Sequence, residues 1–196
     1  MKKHIVTSLL YTVITAVVLG ILYPLAVTGL ARVFFAKQAD GQLIERNGVV
    51  VGSHLIGQAF SGPGYFWSRP SNAGTGYDAA NSGGSNLAPT NKDLATRVAG
   101  SVKTLDTNGT GGVPIDLVTA SASGLDPDIS PAAAYYQVAR VAAERHVSED
   151  AVKSLVAAHV TPRQFGLLGE PRVNVLELNL DLDKTAPVRH DTVLSK

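Results

Sequence analysis

A chain of 196 residues with no cysteine, 17 Lys and Arg against 16 Asp and Glu, and 45% hydrophobic residues has room for one ordinary domain and an anchor. Two large domains do not fit, and the balanced charge leaves no basic excess of the kind a nucleic acid backbone selects. The lack of cysteine excludes a disulfide framework, zinc thiolate sites and a Cys nucleophile.

From Ile5 to Ala31 no residue carries a formal charge, a run longer than the about 20 apolar residues that cross a bilayer. A transmembrane helix is therefore expected. Lys2, Lys3 and His4 precede it and Arg32 and Lys37 follow it, so charge gives only a small preference for a cytoplasmic N-terminus. A cleaved signal peptide is the alternative, with Gly29-Leu30-Ala31 as its cleavage site, but a signal core of about 7–15 residues is much shorter than this run. Pro24 is expected to bend the helix and free a carbonyl one turn earlier.

Beyond the anchor, Leu43-Ile44 and Val49-Val51 flank Asn47-Gly48 and predict a β-hairpin whose pairing continues elsewhere, because a lone hairpin is marginal. Residues 58–90 are rich in Gly, Ser, Asn and Pro and show no period, yet carry Phe60, Tyr65, Phe66, Trp67 and Tyr77. Large rings repay ordering only when buried or docked, so an ordered contact loop is expected. Thr90-Asn91-Lys92-Asp93 opens a helix with Leu94, Val98, Val102 and Leu105 on one face, ended by Asn108-Gly109 and Gly111-Gly112. Val113 to Thr119 reads as a short strand. Ser130-Pro131 starts a helix to about Arg145, and Ser148-Glu149-Asp150 starts a second, the two forming a hairpin. Leu176, Leu178, Leu180 and Leu182 alternate with Glu177, Asn179 and Asp181, the period of a half-buried strand with one wet face. The fold class is α+β: a tail and transmembrane helix over 1–36, one mixed α/β domain over 37–185, and a loose polar tail over 186–196.

No phosphate loop, nucleophile elbow or zinc-protease helix occurs in the sequence. The five histidines, His4, His54, His146, His159 and His190, stand at no metal-ligand spacing, and no metal is assigned. Asp126 and Asp128 flank Pro127 ahead of a helix, a pattern of turn chemistry and dipole compensation more than of paired acid and base.

YPLAVTG, GSHLIGQAF with YFWSRPS, SGGSNLAPTN, VTASASGLDPDIS and GEPRVNVLELNLDLD, in this order over nearly the whole chain, together resemble the C subunit of the Kdp potassium-transporting ATPase family. The resemblance implies a single-span accessory protein of the bacterial inner membrane. It implies assembly with a channel-like potassium-conducting subunit, a P-type ATPase subunit and a small single-span subunit that together take up potassium at the expense of ATP. It implies no activity of the chain alone and no intrinsic cofactor, ATP entering only through the ATPase subunit. Asp106-Thr107-Asn108-Gly109-Thr110 and Asp183-Lys184-Thr185-Ala186 imitate the phosphorylation motif of that subunit incompletely, and the chain has no room for the domains phosphoryl transfer needs.

The family is also credited with raising the ATP affinity of its ATPase subunit, a role for which Gln137 and Arg140 are the candidate nucleotide contacts. Against them stand the missing phosphate loop and their spacing of three on an exposed helix face. With the N-terminus cytoplasmic the domain lies outside, away from cytoplasmic ATP. The candidate partner interface is Tyr23 and Pro24 on the helix, the rings of Tyr65, Phe66 and Trp67, Arg69 for a bidentate contact, and Ser82, Gly83, Gly84, Ser85 and Asn86 for close backbone approach. A self-packed loop is the alternative use of these residues. An exported, membrane-anchored enzyme of unknown substrate is the alternative function.

Overall fold

The computed structural model describes residues 1–106 and 112–187 and divides the chain into two compact units, Met1–Ser53 and His54–Lys196. In the first, helix α1 runs over Lys2–Phe34, apolar enough to cross a membrane and with none of its most apolar stretch buried. Thr7, Thr12 and Thr15 donate their hydroxyls to the carbonyls four residues back, and Ser8 to the one three back, so these four hydroxyls are satisfied within the helix. Ahead of Pro24 the helix widens into a π turn, Val18–Leu22, and the Tyr23 N–H reaches the Val18 carbonyl. That turn is the local adjustment to the missing proline N–H.

A single turn, α2 (Ala36–Ala39), leads into the hairpin of β1 (Leu43–Arg46) and β2 (Val49–Ser53). Asn47 and Gly48 both take positive φ, at 55° and 77°, as the two-residue turn requires. The expected continuation of the sheet is absent: β1 and β2 form a two-stranded ladder with a bulge between Ile44 and Glu45, and no other described strand joins it. Its end is closed instead by the Ser53 hydroxyl, which donates to the Gly41 carbonyl at 2.6 Å.

The second unit opens with a long irregular segment and then α3 (Lys92–Leu105), whose cap is the Asn91 side chain on the Asp93 N–H, one residue after the Thr90 that a capping box would use. The stop signals at Asn108, Gly109 and Gly111 lie outside the described residues. Val113–Thr119 is not a strand: Ile115–Leu117 is a 3-10 turn with Leu117 buried, and Pro114 at its start has no N–H for a ladder. Next come β3 (Asp128–Ile129), α4 (Pro131–Tyr136), α5 (Val138–Arg145), α6 (Glu149–Ala158), β4 (Val160–Thr161), β5 (Arg172–Asn174) and α7 (Val175–Thr185). The helix expected to run unbroken to Arg145 tightens at Gln137, whose N–H bonds to the carbonyl of Ala134. Ser130 and Ser148 cap α4 and α6 as predicted, and α5 and α6 pack on each other across a left-handed turn at His146.

The alternating leucines do not form the expected strand. Only Arg172–Asn174 is strand, the centre of a small antiparallel sheet in the order β3-β5-β4. From Val175 the chain is helical, because Asn174 folds its side chain onto the Glu177 N–H and the leucines, Glu177 and Lys184 are good helix formers. Helix α7 buries one broad face, Val175, Leu178, Asn179 and Leu182 at helical spacing with Leu176 beside them, while Lys184 and Thr185 are exposed, so the half-wet sheet face does not exist. The core gathers Phe66, Ile129, Val138, Val141, Val152, Val156, Val173 and Leu178 between the helices and the three strands. Ala186 packs against this core, and the remainder of the tail past Pro187 lies outside the described residues.

Candidate functional site

Residues 63–69 form a ribbon, a turn at Pro63-Gly64 followed by irregular backbone, that is held by side chains rather than by a neighbouring strand. The Asn179 carboxamide on α7 accepts from the Phe66 N–H at 2.9 Å and donates to the Phe66 carbonyl at 2.9 Å. Gln137, at the junction of α4 and α5, does the same for Trp67, accepting from its N–H at 2.8 Å and donating to its carbonyl at 3.2 Å. Both carboxamides are buried, so each replaces hydrogen bonds that the ribbon backbone could not otherwise make away from water.

Two arginines complete the clamp. Arg140 donates to the carbonyls of Pro63 and Tyr65, holds the Gln137 carboxamide oxygen at 2.7 Å and lies 3.7 Å over the Trp67 ring. Burial pulls its guanidinium down to about 10, which leaves it charged at neutral pH. Arg145 is fully buried: Nε donates to the Gly64 carbonyl at 2.7 Å, Nη1 to Asp183 at 2.9 Å and to the Ala186 carbonyl at 2.8 Å, and the group sits 4.6 Å from the Tyr65 ring centre.

These contacts relocate the sequence candidates. Gln137 is not on an exposed face but inside, and Arg140 beside it is engaged with the ribbon. Phe66 is fully buried and offers no surface to a partner, a correction to its expected use as an interface anchor. Tyr65, Trp67 and Arg69 keep part of their surface, while Tyr23 and Pro24 are exposed on α1. Arg69 donates to Asp126 at 2.9 Å, and Tyr77 donates its hydroxyl to the Arg69 carbonyl. Asp126 also accepts from the Asp128 N–H at 3.0 Å, the turn role expected of it.

The two small-residue segments meet. Gly83 N–H donates to the Ser123 carbonyl at 2.8 Å, the Ser82 hydroxyl to the same oxygen at 3.0 Å, and the Ser71 hydroxyl to the Gly124 carbonyl at 2.6 Å. At Gly124, φ is +67° and a Cβ would stand 2.6 Å from the Ala73 nitrogen. A side chain is excluded there on two counts. The close approach that Ser82-Gly83-Gly84 permit is thus made to Ser121–Gly124 of the same chain, and Ser82 and Asn86 keep exposed outer surfaces.

Beside this contact a cavity of about 270 Å³ is lined by Arg69, Asp116, Asp126, Asp128, Glu170 and Arg172 among others. Burial raises the Asp128 carboxyl above its ordinary range even though Arg172 stands 3.0 Å away, and nearby Asp126 adds to the rise. Asp116 caps the Ser130 N–H at 2.8 Å. Among the described residues no group of His, Cys, Asp and Glu is arranged to hold a metal. Sequence reading missed Asn179 and Arg145 because a polar residue on an apolar helix carries no mark of burial. The one available signal was their place amid the buried positions of α5 and α7.

With this geometry in place, comparison with known proteins gives one answer. A family model described as KdpC, K+-transporting ATPase, c chain, matches residues 5–184. The potassium-transporting ATPase KdpC subunit of Koribacter versatilis is 59% identical over 96% of this chain and 98% of its own length. That of Acidobacterium capsulatum is 62% identical over 93% of this chain and 98% of its own, and that of Rhodospirillum rubrum 58% over 87% and 90%.

Proposed function

We propose, from the premise that this chain belongs to the KdpC family of K+-transporting ATPase c chains, that it is the accessory subunit that assembles and stabilises the potassium pump without contacting ATP. That it is a subunit of a K+-transporting ATPase follows from the family, and α1 makes it membrane-associated. The finer reading adds the partners: the channel-like potassium-conducting subunit, the P-type ATPase subunit and the small single-span subunit.

The observation that carries the reading is the double carboxamide clasp with its two arginines. It holds the 63–69 ribbon in one shape, and the outer faces of Tyr65, Trp67, Arg69, Ser82 and Asn86 are then presented as a prearranged surface. The same clasp engages Gln137 and Arg140, the two nucleotide candidates. An effect on ATP binding by the ATPase subunit is therefore routed through assembly. The exported-enzyme alternative has no comparable support.

The test is made on the complete complex, with Arg69→Ala and Trp67→Ala. Recovery of the other subunits with the affinity-tagged chain is expected to fall further than the chain's own thermal midpoint accounts for, since interface anchors commonly cost ~2 kcal/mol or more. An equal fall in both would assign these side chains to self-packing only. Equilibrium binding of ATP by the purified chain at millimolar nucleotide is expected to give no saturable signal.

A further inference from the structure

The loop between β4 and β5 does what an isolated domain has no reason to do. Phe165 is 85% exposed, Leu167 80% and Leu168 60%. The backbone at Phe165 is left-handed, with φ at 54°, beside Gly166 at 73° and Gly169 at 74°. A bulky residue is disfavoured in that region, where Asn or Gly is the ordinary choice, and a solvent-facing phenyl ring is disfavoured again by the hydrophobic effect. The loop is nonetheless closed by its own hydrogen bonds. Gln164 and Leu168 exchange both backbone hydrogen bonds at 2.9 Å, the N–H groups of Gly166 and Leu167 turn back onto the carbonyls of Arg163 and Gln164, and Arg163 and Glu170 close the base at 2.6 Å. Four of the tip's N–H groups are thereby satisfied within the loop, which lowers the cost of taking the tip out of water.

We infer that Phe165, Leu167 and Leu168 are an anchor that enters an uncharged apolar pocket on a fellow subunit of the potassium-transporting ATPase. The inference rests on the subunit reading above and adds a contact the family name does not specify. Size and charge select this occupant. The three side chains offer a few hundred Å², well under the about 800 Å² per partner of a stable free interface, so neither a second copy nor a soluble protein would stay. A partner confined to the same membrane by its own spans needs far less area, because shared anchoring raises effective concentration. A lipid surface rewards area and positive charge, whereas the Arg163–Glu170 pair neutralises the base of the tip. A fluid bilayer also gains nothing from a strained, fixed turn; a shaped pocket does.

Phe165→Asn suits the left-handed backbone and removes the ring, and the pair Leu167→Asn with Leu168→Asn removes the flanks. Each is expected to leave the thermal midpoint of the full chain unchanged or raised, while retention of the chain on the detergent-purified complex weakens roughly thirty-fold. Retention equal to wild type overturns the inference. In the assembled complex, Phe165→benzoylphenylalanine is expected to photo-cross-link to another subunit; a lipid adduct or a dimer of this chain as the product overturns it. Wild-type chain that fails to recover the other subunits would instead sink the subunit reading itself, so the two failures are distinguishable.

Discussion

Arg145 shows how a single side chain can set the shape of a loop far away in sequence. Its guanidinium is inside, paired with Asp183 and bonded to two carbonyls, one of them Gly64 in the ribbon. Arg145→Ala removes the buried cation paired with Asp183 and the donor to the Gly64 and Ala186 carbonyls. The expected loss is about 3 kcal/mol, read as a lower urea midpoint for the detergent-solubilised chain. Asn179→Ala unpairs the Phe66 N–H and carbonyl together and is expected to cost about 2–4 kcal/mol in the same assay. Asn179→Asp is informative beside it, since a carboxylate can accept from the N–H but cannot donate to the carbonyl; it should recover only part of the loss.

Helix α7 depends on how it begins. Asn174 accepts from the Glu177 N–H with one end of its carboxamide and donates to the His54 carbonyl at 3.0 Å with the other. Asn174→Ala is expected to cost about 1 kcal/mol for the cap, and more for the carbonyl left behind. Along the same helix Asp181 is bonded by Lys184 at 2.6 Å and by His159 at 2.9 Å, and these hydrogen bonds, that of Lys184 foremost, hold its carboxyl below the ordinary Asp value. A lowered native pKa means the unfolded chain binds the proton first as pH falls. The stabilisation is therefore present above the ordinary Asp value of about 3.9 and disappears as pH drops through the depressed one. A melting series from pH 6 to pH 2 should fall more steeply for wild type than for Asp181→Asn. Helix α1 makes a separate prediction: its length favours an anchor that stays, and N-terminal sequencing of the membrane protein is expected to begin at or near Met1. A mature chain starting at Arg32 would end the anchor reading.

For the molecule as a whole, the small charge preference at the N-terminus sets the expectation of a cytoplasmic N-terminus with the domain outside. Protease added to intact spheroplasts is expected to digest the domain; digestion only after lysis would reverse the topology and reopen direct contact with nucleotide. The sequence by itself determined the elements whose causes are local. The uncharged run makes α1, Asn47-Gly48 makes the hairpin turn, and Asn91, Ser130 and Ser148 cap the helices they precede. The ordered motifs from YPLAVTG to the final leucines also carried the family, because order over a whole chain is a property of sequence. Tertiary structure decided the rest. Whether Leu176 to Leu182 is strand or helix turned on the Asn174 cap and on a core that takes Val175, Leu178, Asn179 and Leu182 as one helical face, a spacing that the alternating leucines also permit. Which ring of Tyr65-Phe66-Trp67 points inward was set by carboxamides 70 and 113 residues away. No local pattern encodes such a partner, since a buried Asn or Gln is chosen by the backbone it must satisfy and that backbone is brought to it only by folding.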